Sequence, residues 1–374
     1  MKSGNITLLF GPVFAGKTTE LIRQINRHRV KKQKICLIIP SCKLEKQEDI
    51  KRKFYFLENN ILFAENIADV LKFQIFIDAD VVAIDDLHFF TDSLIAVPLI
   101  ADKLDKTVIC AGLDNDSNRQ YYKNVLDLIP KSETVMKLSA FCSDRKDGSL
   151  GIFSKKEGEQ YLASSRKACI GKDEVGYLHI ITGPMFSGKT TELIRIANQY
   201  NSIGKKVLAI NYSKDTRYDE EANIFSHDKQ KFEKNLALDN FDNFIEKYDE
   251  LIKESDVILV DEIQFFKDCF TVVKSLVEDL NKIVILGGLD GDYLQNPFGD
   301  ICKLIAFSDK LTRLNALCSL GNFQDAPFTR RIAKSDQTEF IGSDDSYIAC
   351  CRQIYNLSDK DFLEKLLDQG RKII

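Results

Sequence analysis

One nine-residue stretch occurs twice in this 374-residue chain, and any fold must accommodate both copies. The second reads Gly183, Pro184, Met185, Phe186, Ser187, Gly188, Lys189, Thr190 and Thr191. It follows an apolar run at 177–181 and opens a helical pattern over 192–200, the strand, loop and helix setting in which G-x-x-x-x-G-K-[ST] cradles phosphate. Gly183 and Gly188 let successive backbone N–H groups curve around phosphate oxygens, and the helix start adds partial positive charge. Lys189 is expected on the transferring phosphates of a nucleoside triphosphate and Thr190 on a magnesium ion. The first copy runs from Gly11 to Thr19 with Lys17 and Thr18 at the matching places, and both copies continue Thr-Glu-Leu-Ile-Arg.

The two loops lie 172 positions apart, and three later landmarks lie 176 apart. These are Asp85 with Asp261, Gly112-Leu113-Asp114 with Gly288-Leu289-Asp290, and Cys142 with Cys318. Solenoids need three or more short units, so two units this long mean two domains; at roughly 100–200 residues per domain the length agrees. Strands alternate with helices, and a phosphate loop follows the first strand. Each copy is therefore expected to be α/β, an open, mostly parallel sheet flanked by helices with ligands at the carboxyl ends of the strands. The expected bounds are 1–150 for the first domain, a polar linker region at 151–176, 177–355 for the second domain, and a terminal helix in 356–374.

A net charge of −4 and a short basic run at a helix end (29–34) give no reason to expect a nucleic-acid partner. No apolar run approaches the roughly 20 residues that span a bilayer, and the N-terminus has no secretory apolar region, so a cytoplasmic location is expected. Ten irregularly spaced cysteines then read as free thiols.

Along the first copy, strands are expected at 6–10, 35–40, 81–84 and 107–111, with a helix over 18–29. The polar stretch 41–53 carries no chemical signal. The run 81–84 ends in Asp85-Asp86, the form of a buried parallel strand delivering carboxylates to a metal site. In the second copy, strand 207–211 leads to Lys214, Asp215, Thr216, Arg217 and Tyr218. This is either a polar turn or a source of a metal-shell carboxylate and a guanidinium for transition-state charge. Strand 257–260 delivers Asp261, Glu262, Ile263, Gln264, Phe265 and Phe266. Continuing the strand would send the two carboxylates to opposite faces, Asp261 to the metal and Glu262 to the proton of an attacking hydroxyl; the alternative is an acidic helix start. The phenylalanine pair is either core or, in one ring, a platform for a planar base.

Over 178–355 these residues resemble the cellular-type (type II) thymidine kinases, which transfer the ATP γ-phosphate to the 5′-hydroxyl of deoxythymidine. The segments that carry the resemblance are 183–190, 214–218, His227-Asp228, 261–266, Leu289-Asp290-Gly291, Pro297-Phe298-Gly299, Thr329-Arg330-Arg331, Phe340-Ile341-Gly342 and Tyr347. The resemblance implies Glu262 as general base, Thr190 and Asp261 as the magnesium shell, Lys189, Arg217 and Arg331 on transferred charge, and Asp215 and Gln264 on the ATP side. It places Met185, Phe266, Leu289 and Tyr293 around the thymine ring. Thr329, Thr338, Phe340, Gly342 and Tyr347 fall in a covering lasso at about 312–355.

The family holds its lasso with zinc on two Cys-x-x-Cys pairs, which here read Cys318-Ser319-Leu320-Gly321 and Cys351-Arg352-Gln353-Ile354. A four-coordinate site needs four donors, and Cys318, Cys351 and Cys350 supply at most three, so no zinc is expected. The first copy departs further. Asp86 stands where the second has Glu262, His88 replaces Gln264, no equivalent of Arg217 follows Ser41, and 154–169 makes a shortened lasso with no tyrosine in register with Tyr347. It reads as a pseudokinase domain whose intact loop leaves two roles open, a scaffold that stands in for a partner subunit in an intrachain pseudo-dimer or a nucleotide sensor, with further homo-oligomer formation also left open. The competing readings are a kinase that also takes deoxyuridine, or a nucleotide-binding regulator idle in both halves. Ser358 to Asp361 reads as a helix start ahead of Phe362, Leu363, Leu366 and Leu367 at helical spacing.

Overall fold

A computed structural model describes residues 4–57, 59–145, 147–213, 236–321, 324–332 and 346–368, and the backbone pairing of 224–225 with 231–232. The chain divides into two compact units, Met1–Cys169 and Ile170–Ile374.

In the first unit six strands form one sheet in the order Ile61–Ala64, Ile35–Pro40, Val81–Ile84, Thr107–Gly112, Asn5–Phe10, Thr134–Lys137. Every pairing is parallel. The second unit repeats the order with Leu236–Leu238, Val207–Tyr212, Val257–Val260, Ile283–Gly288, Tyr177–Thr182 and Lys310–Arg313, again all parallel. Helices cover both faces of such a sheet, which is why Val81–Ile84 and Val257–Val260 are apolar at every position and buried throughout. Parallel direction brings the loop after Tyr177–Thr182 and the acids after Val257–Val260 to the same sheet end. The short edge strands, such as Thr-Val-Met-Lys and Lys-Leu-Thr-Arg, escape a sequence reading because half-exposed edges lose the apolar signature.

The helix Lys189–Ser202 buries Leu193, Ile194, Ile196 and Ala197 against its sheet. Its approach is close. A Cβ on Gly287 would come within 2.3 Å of Leu193 Cδ1, so the strand must be bare there.

The region 151–176, expected as linker or shortened lasso, folds largely with the first unit. Phe153–Glu157 pairs antiparallel with Gln160–Ser164, burying Phe153, Ser154, Ala163 and Ser164. Its outward lysines and glutamates hide that inward face from a reading by composition. In the second unit Phe328–Arg331 pairs antiparallel with Tyr347–Cys350, both within the span 312–355 expected as lasso. The terminal helix Asp359–Asp368 is capped by Ser358 Oγ, which accepts from Asp361 N at 3.2 Å. Phe362 and Leu366 enter a cluster with Cys318, Phe328, Cys350, Cys351 and Ile354, while Leu367 faces outward. No described helix is long and apolar enough to cross a membrane.

Candidate active site

The loop of the second unit is built from left-handed backbone. Gly183 (φ 146°) and Gly188 (φ 81°) take it freely, and a Cβ on Gly183 would meet Leu314 O at 2.3 Å. Phe186 (φ 64°) and Glu262 (φ 55°) take it at a cost of roughly 1–3 kcal/mol each, strain of the kind that collects at functional sites. Lys189 is buried and donates from Nζ to Pro184 O at 2.7 Å. Thr190 Oγ1 donates to Asp261 Oδ2 at 3.0 Å, and Ser187 Oγ is buried without a hydrogen-bond partner among the described residues. An ammonium resting on its own loop carbonyl, an orphaned hydroxyl and a hydroxyl–carboxylate pair fit a magnesium-bound triphosphate.

Of the two readings of Asp261-Glu262, continuation of the strand does not occur, and a short 3-10 turn, Ile263–Phe265, opens after Glu262. The strand stops at Val260, and the left-handed turn at Glu262 brings its amide onto Asp261 Oδ1 at 3.0 Å. Gln264 Nε2 then donates to Glu262 Oε2 at 2.6 Å, while Gln264 Oε1 accepts from Leu289 N at 3.1 Å. Gln264, expected on the ATP side, thus clamps the glutamate to the Leu289 turn. A Cβ on Gly288 would strike Gln264 Oε1 at 2.5 Å, so that glycine makes room for the clamp. Phe266 is almost wholly buried, stacked on Phe241 at 4.4 Å and edge-on to Tyr212 at 5.5 Å.

Across from the loop, Met185 N donates to Thr329 Oγ1 at 3.0 Å. Two residues on, and so on the same strand face, the Arg331 guanidinium lies 3.8 Å from the Tyr293 ring and donates from Nη2 to Tyr347 Oη at 2.9 Å. The sequence had placed Tyr293, Thr329 and Tyr347 around the nucleoside and Arg331 on transferred charge; the four form one continuous group. Two members were missed. Tyr355 Oη donates to Tyr293 O at 2.9 Å. Arg313 Nε meets Asp290 Oδ2 at 2.6 Å in a pair whose side chains are 3% and 5% exposed, and Arg313 Nη2 reaches Pro327 O at 3.3 Å. Asp290 was readable from its repeat; its partner sits in an unremarkable edge strand. Asp215, Arg217, Thr338, Phe340 and Gly342 lie outside the described residues.

The residues where the family holds zinc do not fit that ion. Cys318 and Cys351 are buried, and a Cβ on Gly321 would meet their sulfurs at 2.9 and 3.0 Å, so the two sulfurs crowd the place from which a thiolate at 321 would reach the ion. Gln324 Nε2 donates to Cys351 Sγ at 3.2 Å, and an amide N–H is no ligand. A hydrogen bond from the Cys318 thiol lowers the Cys351 pKa, whereas burial raises that of Cys350. Among the described residues no three or more His, Cys, Asp or Glu side chains gather as a metal site.

The first unit repeats much of this geometry. Thr18 Oγ1 donates to Asp85 Oδ2 at 2.9 Å, Lys17 Nζ to Pro12 O at 2.5 Å, and Val13 N to Ser154 Oγ at 3.2 Å. Burial, then the charge of Asp86, pushes the Asp85 carboxyl up to about 6, and burial lowers the Lys17 ammonium. His88 holds the position of Gln264, with Nδ1 accepting from Leu113 N at 3.3 Å, and burial pushes it down to about 4. Asp86 instead pairs with Lys43 Nζ at 3.0 Å. One expectation is corrected. Tyr161 stands opposite Lys156 in the register that sets Tyr347 opposite Arg331, so the aligned tyrosine is present.

A family model described as thymidine kinase matches residues 4–174 and again 176–355. Thymidine kinase 1 of Dictyostelium discoideum is 39% identical over 184 residues, 48% of this chain and 78% of that protein. The thymidine kinase of sheeppox virus is 38% identical over 184 residues, 49% of this chain and 99% of its own. Thymidine kinase a of Arabidopsis thaliana is 40% identical over 181 residues, covering 48% and 75%.

Proposed function

The chain belongs to the thymidine kinase family, whose model it matches in two consecutive copies, and from that premise we propose that the second unit carries the reaction. It transfers the γ-phosphate of ATP to the 5′-hydroxyl of deoxythymidine, with deoxyuridine as a further acceptor, in the cytoplasm. Lys189 exchanges a neutral carbonyl for phosphate oxygens, a stronger charge-assisted contact. Thr190 and Asp261 are the residues that would hold magnesium, which neutralises charge on the phosphates when bound. Glu262 takes the proton of the 5′-hydroxyl. Arg331, and Arg217 from outside the described residues, balance charge on the moving group, where positioning and electrostatics supply most of the acceleration. Met185, Leu289, Tyr293, Thr329 and Tyr347 flank the nucleoside. The first unit is a pseudokinase.

The observation that carries this reading is the Gln264 clamp, which fixes Glu262 and the Leu289 turn through one side chain. An uncommitted carboxylate would need no such tether. Lys189→Ala should lower thymidine phosphorylation by ~10²-fold or more, while Asp86→Asn in the first unit leaves most of it. Comparable losses in the two variants would refute the assignment to the second unit.

A further inference from the structure

We infer that the first unit is a second nucleoside-triphosphate site, one that binds magnesium-bound nucleotide and does not transfer its phosphate. The inference builds on the reading of the second unit as the transferring one. Two contacts that fit a triphosphate recur here, the ammonium on its loop carbonyl and the threonine on its buried aspartate, and with them the left-handed loop at Phe14 (φ 62°) and the loop amide tied to a hydroxyl on the following hairpin; Ala15 stands where the second unit has the Ser187 hydroxyl. Thr18 and Asp85 sit 2.9 Å apart against 3.0 Å for Thr190 and Asp261, so a metal would meet the same oxygen pair in either unit. Asp85 is buried and accepts from Thr18 Oγ1 and Asp86 N, as Asp261 accepts from Thr190 Oγ1 and Glu262 N. Loop N–H groups at the start of the long helix Lys17–Val30 supply the anion side.

Transfer fails on the acceptor side. Asp86 is one methylene shorter than Glu262, and Lys43, from the turn Ser41–Lys46 that follows the second strand, draws it away at 3.0 Å. No glutamine clamps it, since His88 turns its Nδ1 to Leu113 N. The connection between the paired strands is also shorter. Residues 332–346 separate the paired strands of the second unit, whereas only Gly158 and Glu159 join Phe153–Glu157 to Gln160–Ser164. A turn of that length cannot close over a nucleoside.

Calorimetric titration of the full chain with ATP and magnesium, in the absence of thymidine, tests the inference. The expected stoichiometry is two for the unmodified chain, one for Lys189→Ala and none for Lys17→Ala combined with Lys189→Ala, with binding to Lys189→Ala weakened by magnesium chelation. A Lys189→Ala chain that melts normally and binds no ATP overturns it. Photolabelling of the unmodified chain with 8-azido-ATP needs no variant. Label recovered in peptides from 1–169 supports the site, and label confined to 170–374 overturns it. Thymidine phosphorylation by Lys189→Ala at the unmodified rate would contradict the claim that the first site does not transfer. If Lys189→Ala binds one equivalent while the unmodified chain phosphorylates no thymidine, the function proposed above falls and this site stands.

Discussion

The two units place the same glycine-lysine loop and the same threonine-bonded aspartate at the end of the same kind of sheet, yet differ in what holds the next carboxylate. In the second unit Gln264 joins Glu262 to Leu289; in the first, Lys43 takes Asp86 and His88 turns to Leu113. On the functions proposed for the two units, the difference makes triphosphate binding and phosphate transfer separable layers of the fold. The loop is fixed by backbone, glycines and one helix start, whereas the contacts of the next carboxylate rest on a few side chains.

The largest expected effect lies at the carboxylates themselves. Glu262→Gln should lower kcat by ~10²-fold or more with little change in nucleotide KM, and Asp86→Asn should change neither in a steady-state thymidine assay. Matching losses would erase the contrast between the units. Next comes the buried pair that roots the hairpin. Arg313→Ala leaves Asp290 buried and unpaired and should cost about 3–5 kcal/mol in denaturant unfolding of the full chain. Arg313→Lys sharpens the comparison by imitating Lys137, which faces Asp114 at 3.2 Å in the first unit. It keeps the charge and loses the reach to Pro327 O, so thymidine KM should rise several-fold while stability stays closer to the parent; an unchanged KM would detach this pair from the acceptor side.

Acidification has a smaller effect, shared by both units. His179, with Nε2 at 2.8 Å from Thr312 Oγ1, is pushed down to about 4 by burial, as is His88. A folded pKa below the unfolded 6.5 means that the stabilising contribution is complete above about pH 6.5 and is lost as pH falls toward 4. At pH 5 the loss is roughly 2 kcal/mol per histidine. Melting at pH 7 and pH 5 should show a drop that His179→Gln reduces; an equal drop in that variant would remove the histidine from the explanation. The smallest effect concerns zinc. Treatment with a zinc chelator should leave the melting temperature within about 1 °C of the untreated chain, since Gly321 and Gln324 pack against the two sulfurs. A fall of several degrees would mean that the hairpin root holds metal after all.

Much of this was legible in the sequence because the signal was local. Loop spacing, an apolar strand ending in acids, and repeated Gly-Leu-Asp turns each announce themselves within ten residues. The left-handed turn at Glu262 did not, since it depends on Asp261 Oδ1 receiving the next amide. Arg313 gave no signal because its importance lies in Asp290, 23 positions earlier in the chain. The hairpin at 153–164 resembled linker because lysine and glutamate on its outer face dominate the composition. Phe266, which the resemblance places at the base, is seated against Phe241 and Tyr212, contacts that no local pattern announces.

The most direct test is a crystal structure of the full chain with ADP, magnesium and deoxythymidine. The account predicts deoxythymidine in the second unit alone, its 5′-hydroxyl within about 2.6–3.2 Å of a Glu262 carboxylate oxygen. Deoxythymidine in the first unit, or Glu262 turned away from the hydroxyl, would contradict it.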